Sequence, residues 1–199
     1  MYIEWCERDN IQVRMAYFSK LPHGIRTTLI TLTWFPVLYT LSNHVYQPCQ
    51  ITGMSMTPTF NPGTETMSND VALVQKFNLK KPSSLDRGDV IMFRSPQDPE
   101  KLLTKRVVGL QGDVIATKTP PYPRPQATIP RNHLWVEGDN TFHSVDSNNF
   151  GPISQALVIG KVVGIIWPIS RFGTDISEGG RDARKTNENL QVKLLDDIK

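Results

Sequence analysis

The sequence predicts a mainly β protein: one antiparallel β domain over residues 47–172, carried on a single N-terminal transmembrane helix at 25–46. Residues 1–24 form an N-terminal segment and 173–199 a polar tail. Three observations predict this. Short runs rich in β-branched and aromatic residues recur between turn signals from Asp70 to Ile166. Fifteen prolines and thirteen glycines suit a turn-rich β protein better than a helical bundle. One uncharged stretch, Thr27 to Leu41, precedes all of it. The 199 residues suffice for one domain with a sizeable core. A net charge of +3, with no basic run interleaved with aromatics, gives no footprint for nucleic acid. Clustered Cys/His ligands and His-Glu-x-x-His are lacking, so neither metal nor cofactor is expected. Cys6 and Cys49 make no disulfide framework, and on opposite sides of a bilayer they could not pair.

The first 26 residues hold Arg8, Arg14, Lys20 and Arg26 together with Glu4, Glu7 and Asp9. The acids argue against a cleavable transit peptide. The uncharged stretch is fifteen residues long, short of the roughly 20 that a spanning helix needs. Extended from Ile25 to Val45 it becomes about 31 Å of helix, with Arg26, Asn43 and His44 at the interfaces and Trp34 and Pro36 inside. Composition alone leaves a buried helix and a membrane span equally open. In a span, the basic flank keeps the N-terminus on the inner side and puts the β domain outside.

Gln50 to Phe60 is unlike a core element. Gly53 permits a positive φ or a close backbone approach, and Pro58 biases Thr57 away from helix, so the stretch is a shaped loop. It holds Ser55 between Met54 and Met56, and reads either as a turn with an incidental serine or as a loop built to present one. Asn69 to Gln75 is a short apolar run. Asp86 to Arg94 is a polar turn leading into a strand, which makes Arg87-Gly88-Asp89 a hairpin turn rather than an adhesion tripeptide. Lys101 to Gly109 alternates, with Leu103, Lys105 and Val107 on one face and Thr104, Arg106 and Val108 on the other. Lys105 thus shares a face with two apolar residues, although Lys105-Arg106 taken alone also reads as a solvated basic pair. A turn at Gln111-Gly112-Asp113 leads to a strand at Val114–Ala116. Residues 118–130 form a stiff proline-rich loop. His133 to Glu137 is a strand ending at Gly138-Asp139-Asn140, and 141–149 is polar. Ala156 to Ile166 is a β-branched run central to a sheet. From Gly173 the chain is mixed in charge and poor in aromatics, so a disordered or weakly helical tail is expected.

Three motifs stand in order: Gly53-x-Ser55-Met56-x-Pro58-Thr59, then Lys105-Arg-Val-Val-Gly-Leu-x-Gly-Asp113, then Gly138-Asp139-Asn140-x-x-x-Ser144-x-Asp146-Ser147. Together they resemble the type I signal peptidases. The run Asp146-Ser-Asn-x-Phe-Gly-Pro-Ile-Ser154, with Leu157 to Lys161 and Trp167-Pro168, is similar to the mitochondrial inner membrane proteases among them. The resemblance covers about residues 25–172. It implies a signal-peptidase-like β fold and a membrane-anchored serine endopeptidase with a Ser55 nucleophile and a Lys105 general base. Such an enzyme removes sorting or signal peptides from proteins delivered to the mitochondrial intermembrane space. By the same resemblance Ser144 hydrogen-bonds the lysine amine, while its other reading is a loop-capping serine. Asp139 and Asp146 brace the region, with Asp146 pairing to Arg106. Ile51, Met56, Phe60 and Leu103 surround the pocket for the side chain before the cut, although each also reads as core. Gly53 stands where many relatives carry a serine whose hydroxyl donates to the oxyanion, which leaves that task to backbone N–H groups, including that of Ser55. Bacterial relatives carry arginine at Asn148, so the ion network is smaller here. The implied partners are precursor polypeptides, a companion catalytic subunit and the lipid bilayer of the inner membrane, with the catalytic domain facing the intermembrane space.

The residue chemistry supports the dyad on its own terms. Serine is a weak nucleophile and needs a base. There is no Gly-x-Ser-x-Gly elbow, His23 and His44 lie at or before the apolar segment, and His143, near Ser144 and Asp146 in sequence, is disfavoured as a triad member. A lysine serves if burial pulls its pKa well below ~10.4, and the apolar face of Lys105 supplies that. Two rival readings make different demands. A catalytically silent partner subunit of a heteromeric protease should lack Ser55 or Lys105, and both are present. A soluble Ser/Lys self-cleaving repressor should carry a helix-turn-helix where this chain has its apolar segment.

Overall fold

The computed structural model describes residues 22–63, 69–79, 81, 84–118, 121–177 and 179–180. The expectations for residues 1–21, Cys6 included, and for 181–199 lie outside the described residues. The chain divides into two compact units, Met1–Asn43 and His44–Lys199. The first contains most of helix α1 (His23–His44), which starts and ends two residues before the predicted span. Its 22 residues rise about 33 Å, and none of them is buried. All six of its Ser/Thr hydroxyls fold back onto the helix: Thr27 and Thr28 donate to Gly24 O, Thr31 to Thr28 O, Thr33 to Ile30 O, Thr40 to Pro36 O and Ser42 to Tyr39 O. With those residues, Arg26, Asn43 and His44 in the sequence, no helix among the described residues is long and apolar enough to cross a membrane.

The second unit is mainly β, as predicted. Its strands are β1 (Tyr46–Gln50), β2 (Val71–Gln75), β3 (Val90–Arg94), β4 (Leu102–Gly109), β5 (Val114–Ala116), β6 (Gln126–Thr128), β7 (His133–Glu137), β8 (Ile153–Ser154) and β9 (Val158–Trp167). Seven form one sheet in the order β1-β2-β9-β3-β4-β7-β8, and β5 pairs with β6 in a separate hairpin. Neighbouring strands are antiparallel. Three strands depart from the sequence reading: β1, β6 and the two-residue β8. β1 contains Pro48, which has no N–H for a central ladder, but β1 is an edge strand and the missing donor is tolerated there. β6 lies inside the proline-rich loop: after Pro125 the chain is free to pair, and Val114 to Ala116 find Thr128 to Gln126.

Register shifts between Val71 and Ala72, Leu73 and Val74, Met92 and Phe93, and Val107 and Gly109 curl the sheet. Both faces are covered. Val90 and Met92 of β3 face a cluster with Ile51, Met56, Phe60 and Val162, while Ile91 and Phe93 face one with Val107, Leu134, Val136 and Ile153. That explains why β3 is buried at four consecutive positions. Ile176 packs against the first cluster. The segment expected to leave the domain as a tail at Gly173 therefore stays on it for several more residues.

Candidate active site

The loop carrying Ser55 is pinned at both ends. Ile51 N–H donates to Asp70 O at 2.8 Å. Asn61, in the left-handed region at φ 51°, donates its side-chain amide to Ile51 O at 2.9 Å and exchanges hydrogen bonds with Asp70, 2.8 Å each way. Arg171 pairs with the Asp70 carboxylate and donates to Thr59 O at 2.8 Å. Met56 and Phe60 are sunk in the core. Between these anchors Ser55 is half-buried, and its carbonyl accepts from Asn140 N–H at 3.0 Å, which ties the loop to the turn after β7.

Gly138 sits at the junction. A Cβ there would stand 2.3 Å from Ser144 Oγ and 2.5 Å from Ser55 O, so only glycine lets the two loops approach this closely. Ser144 Oγ donates to Asp146 Oδ2 at 3.0 Å rather than bonding the Lys105 amine as expected, and Gly138 N–H donates to the same oxygen at 3.2 Å. Asp146 also caps the short helix α2 (Ser147–Phe150), its Oδ1 accepting from the Asn148 backbone and side-chain amide at 3.0 Å each. The Asn148 amide reaches on to Glu137 Oε1 at 3.2 Å, and Trp135 Nε1–H donates to that oxygen at 2.9 Å. At Asn148 the network is thus bridged by an amide rather than a cation.

Lys105 lies on β4 directly opposite Ile91 and is 2 % exposed. Burial pushes its amine down to about 8, against the pull of the Asp146 and Asp139 carboxylates, which favour the charged form. Arg106 is equally buried, so the solvated-pair reading of Lys105-Arg106 fails: this part of the sheet has no wet face. The expected pairing of Arg106 with Asp146 is also corrected. Arg106 makes a bidentate bridge to Asp139, Nε to Oδ1 at 2.8 Å and Nη2 to Oδ2 at 2.6 Å, because Asp146 is already saturated by Ser144, Gly138 and Asn148. Its remaining N–H groups donate to Gly88 O and Ile176 O at 2.8 Å each and, at 3.4 Å, to Ser177 O. Gly179 lies over the pair, where a Cβ would come within 2.5 Å of Arg106 Nη2 and Thr59 Oγ1.

Ser55 opens on a cleft of about 150 Å³ walled by Ile51, Gly53, Met56 and Leu103. Phe60, expected in that wall, is fully buried in the core beneath it, where the bond from its N–H to Met56 O turns it inward. His143 is exposed. The sequence reading missed Met92 and Thr104, which are register partners across β3 and β4, and Cys49, two residues before Ile51 on β1. Strand alternation from Ile51 pointed to Cys49. Glu137 was missed because a strand-end carboxylate normally faces water.

The family model for signal peptidases, peptidase S26, matches residues 24–120 and 116–167, and the chain belongs to that family. It is 55% identical over 159 residues to mitochondrial inner membrane protease subunit 2 of Saccharomyces cerevisiae, covering 79% of this chain and 89% of that one. It is 45% identical over 152 residues to subunit 2 of Schizosaccharomyces pombe, covering 76% and 81%. Subunit 1 of the human mitochondrial inner membrane protease is 36% identical over 122 residues, covering 61% and 69%.

Proposed function

We propose that this chain is a membrane-anchored serine endopeptidase that removes sorting peptides from proteins delivered to the mitochondrial intermembrane space, with Ser55 as nucleophile and Lys105 as general base. One observation carries the reading: a buried lysine, its amine lowered to about 8, feels the carboxylate of Asp146, which holds Ser144 on the turn packed against the Ser55 loop. An amine at its ordinary 10.5 would be almost wholly charged near neutrality, whereas this one is neutral in an appreciable fraction of molecules.

Neutral Lys105 Nζ takes the hydroxyl proton as Ser55 Oγ bonds to the scissile carbonyl carbon, and the carbonyl electron pair moves onto oxygen. No described residue accepts from the Ser55 N–H, which supports its use as a donor to that oxyanion. The ammonium then protonates the departing amine as the C–N bond breaks. Water, deprotonated by the same lysine, releases the acyl group. Asp146 holds the Ser144 hydroxyl and the Gly138 amide, and so fixes the turn facing the nucleophile. The precursor lies extended along the cleft as an added strand.

Helix α1 anchors the chain. Average hydropathy charges each hydroxyl as free, but all six in α1 are spent on backbone carbonyls, which lowers the cost of placing them in lipid. The catalytic domain faces the intermembrane space and works beside a companion catalytic subunit, a reading supported by the names of both kinds of relative. Purified full-length protein in detergent should cleave precursor peptides. Ser55→Ala and Lys105→Met should abolish cleavage while His143→Ala retains most of it. Near wild-type cleavage by Lys105→Met would overturn the dyad, and release from membranes by alkaline carbonate would overturn the anchor.

A further inference from the structure

Beside the cleft at Ser55 lies a second groove of about 370 Å³, to which the proposed chemistry gives no task. Its apolar floor is Val74 and Ile159, and its rim carries Lys76, Arg94 and Glu100. The two hollows share a wall, since Cys49, Met92 and Leu102 line both, with Cys49 Sγ 3.8 Å from Met92 Sδ. Leu102 is half exposed at that wall, an apolar strand residue left open where the two hollows meet.

The layout follows the strand period. Ile51 lies in the first hollow, Cys49 at the shared wall and Gln47 in the second. These positions are two residues apart along one edge of the sheet, and they advance about 3.3 Å per residue. An extended peptide laid along the same edge has the same period, so its alternate side chains meet the same three stations. The side chain before the cut occupies the station beside Ser55, the third before the cut lies over the Cys49–Met92 wall, and the fifth faces Gln47.

We propose that the second groove is a substrate subsite for the fifth residue before the cut, taking a bulky apolar side chain and rejecting a basic one. The volume suits one large side chain with part of its main chain, and Val74 and Ile159 offer it apolar contact. The rim carries two cations against one carboxylate. Among the described residues no carboxylate pairs with Lys76 or Arg94; the latter donates to Pro99 O at 2.8 Å. Such a rim repels lysine or arginine on the peptide. The subsite rests on the protease reading above, so its test separates the two.

The full-length protein in detergent is given a panel of otherwise identical precursor peptides with Leu, Gly or Lys at the fifth position before the cut. The Leu peptide should exceed the Gly peptide in kcat/KM by about tenfold, with the Lys peptide lowest. Gln47→Trp fills the groove without altering the wall at Ser55, and should erase the advantage of Leu while leaving the Gly peptide within about twofold of wild type. Lys76→Glu, at the rim, should raise the Lys peptide by about threefold. Equal cleavage of the whole panel by wild type overturns the subsite and leaves the protease reading standing. Cleavage of none overturns both.

Discussion

Replacing Lys105 with Met tests the dyad through stability as well as through rate. The substitution keeps the side chain's length and removes its amine. That amine titrates at about 8 where an unhindered lysine titrates at 10.5. At about 1.4 kcal/mol per pH unit, holding it charged inside the fold costs about 3 kcal/mol. Below about pH 8 the folded and unfolded chains both carry the proton, and the full cost is present. Between 8 and 10.5 the unfolded chain keeps a proton that the folded one has released. The unfolded state then binds more protons, so wild-type stability rises with pH through that window. Lys105→Met should therefore be more stable than wild type by about 3 kcal/mol near pH 7, with the gap closing as pH approaches about 10.5. Urea unfolding of both proteins across that range measures it, with cleavage rates recorded alongside. Wild-type rate should climb with pH through about 8 and then level, and the variant should be dead throughout. A stability gap that does not change with pH, or a variant less stable than wild type near neutrality, would refute the reasoning.

Two further outcomes follow from the turn facing Ser55. Gly138→Ala places a methyl 2.3 Å from Ser144 Oγ and 2.5 Å from the Ser55 carbonyl; backbone must move, and kcat should fall at least about a hundredfold in a protein that still folds, checked by cleavage assay and circular dichroism. Asp146→Asn presents an NH₂ to a site where all four contacts are donors, which should cost about 2–4 kcal/mol in urea unfolding. Because the Asp146 charge holds the Lys105 amine up, its loss should also move the acid limb of the pH–rate profile below about 8.

The strands were legible wherever apolar and polar residues alternate or β-branched residues crowd together. β4 and β9 emerge from the chain almost at their observed bounds, and the turn at Arg87-Gly88-Asp89 leads into β3 as expected. β1 and β6 were hidden by proline, which reads as a breaker when the edge position that tolerates it is unknown. At the site, sequence order brought Ser55, Lys105 and Ser144 into view together. It could not say which acid would hold Arg106: Asp139 and Asp146 flank the same turn, and only the donors already filling Asp146 decide it. Nor could it separate Phe60 from the cleft wall, since an apolar residue four positions after a turn serves either purpose. Helix α1 was legible as a helix, while its fitness for lipid depends on where its hydroxyls point.

Arg106 finds two of its acceptors, Ile176 O and Ser177 O, seventy and seventy-one residues further along the chain. During synthesis Ser55 and Lys105, and the strand that carries the lysine, therefore exist well before the neighbouring guanidinium can be fully satisfied. The buried ion pair beside Lys105 is thus completed from residues 176 and 177 rather than from the strand that carries it. A stop codon or a proteolytic nick between Phe172 and Ile176 would leave Ser55, Lys105, Ser144 and Asp146 in place. It would also strip Ile176 from the core and open a buried ion pair one residue from Lys105 to water. On the endopeptidase function proposed above, this withholds the finished site from unfinished copies.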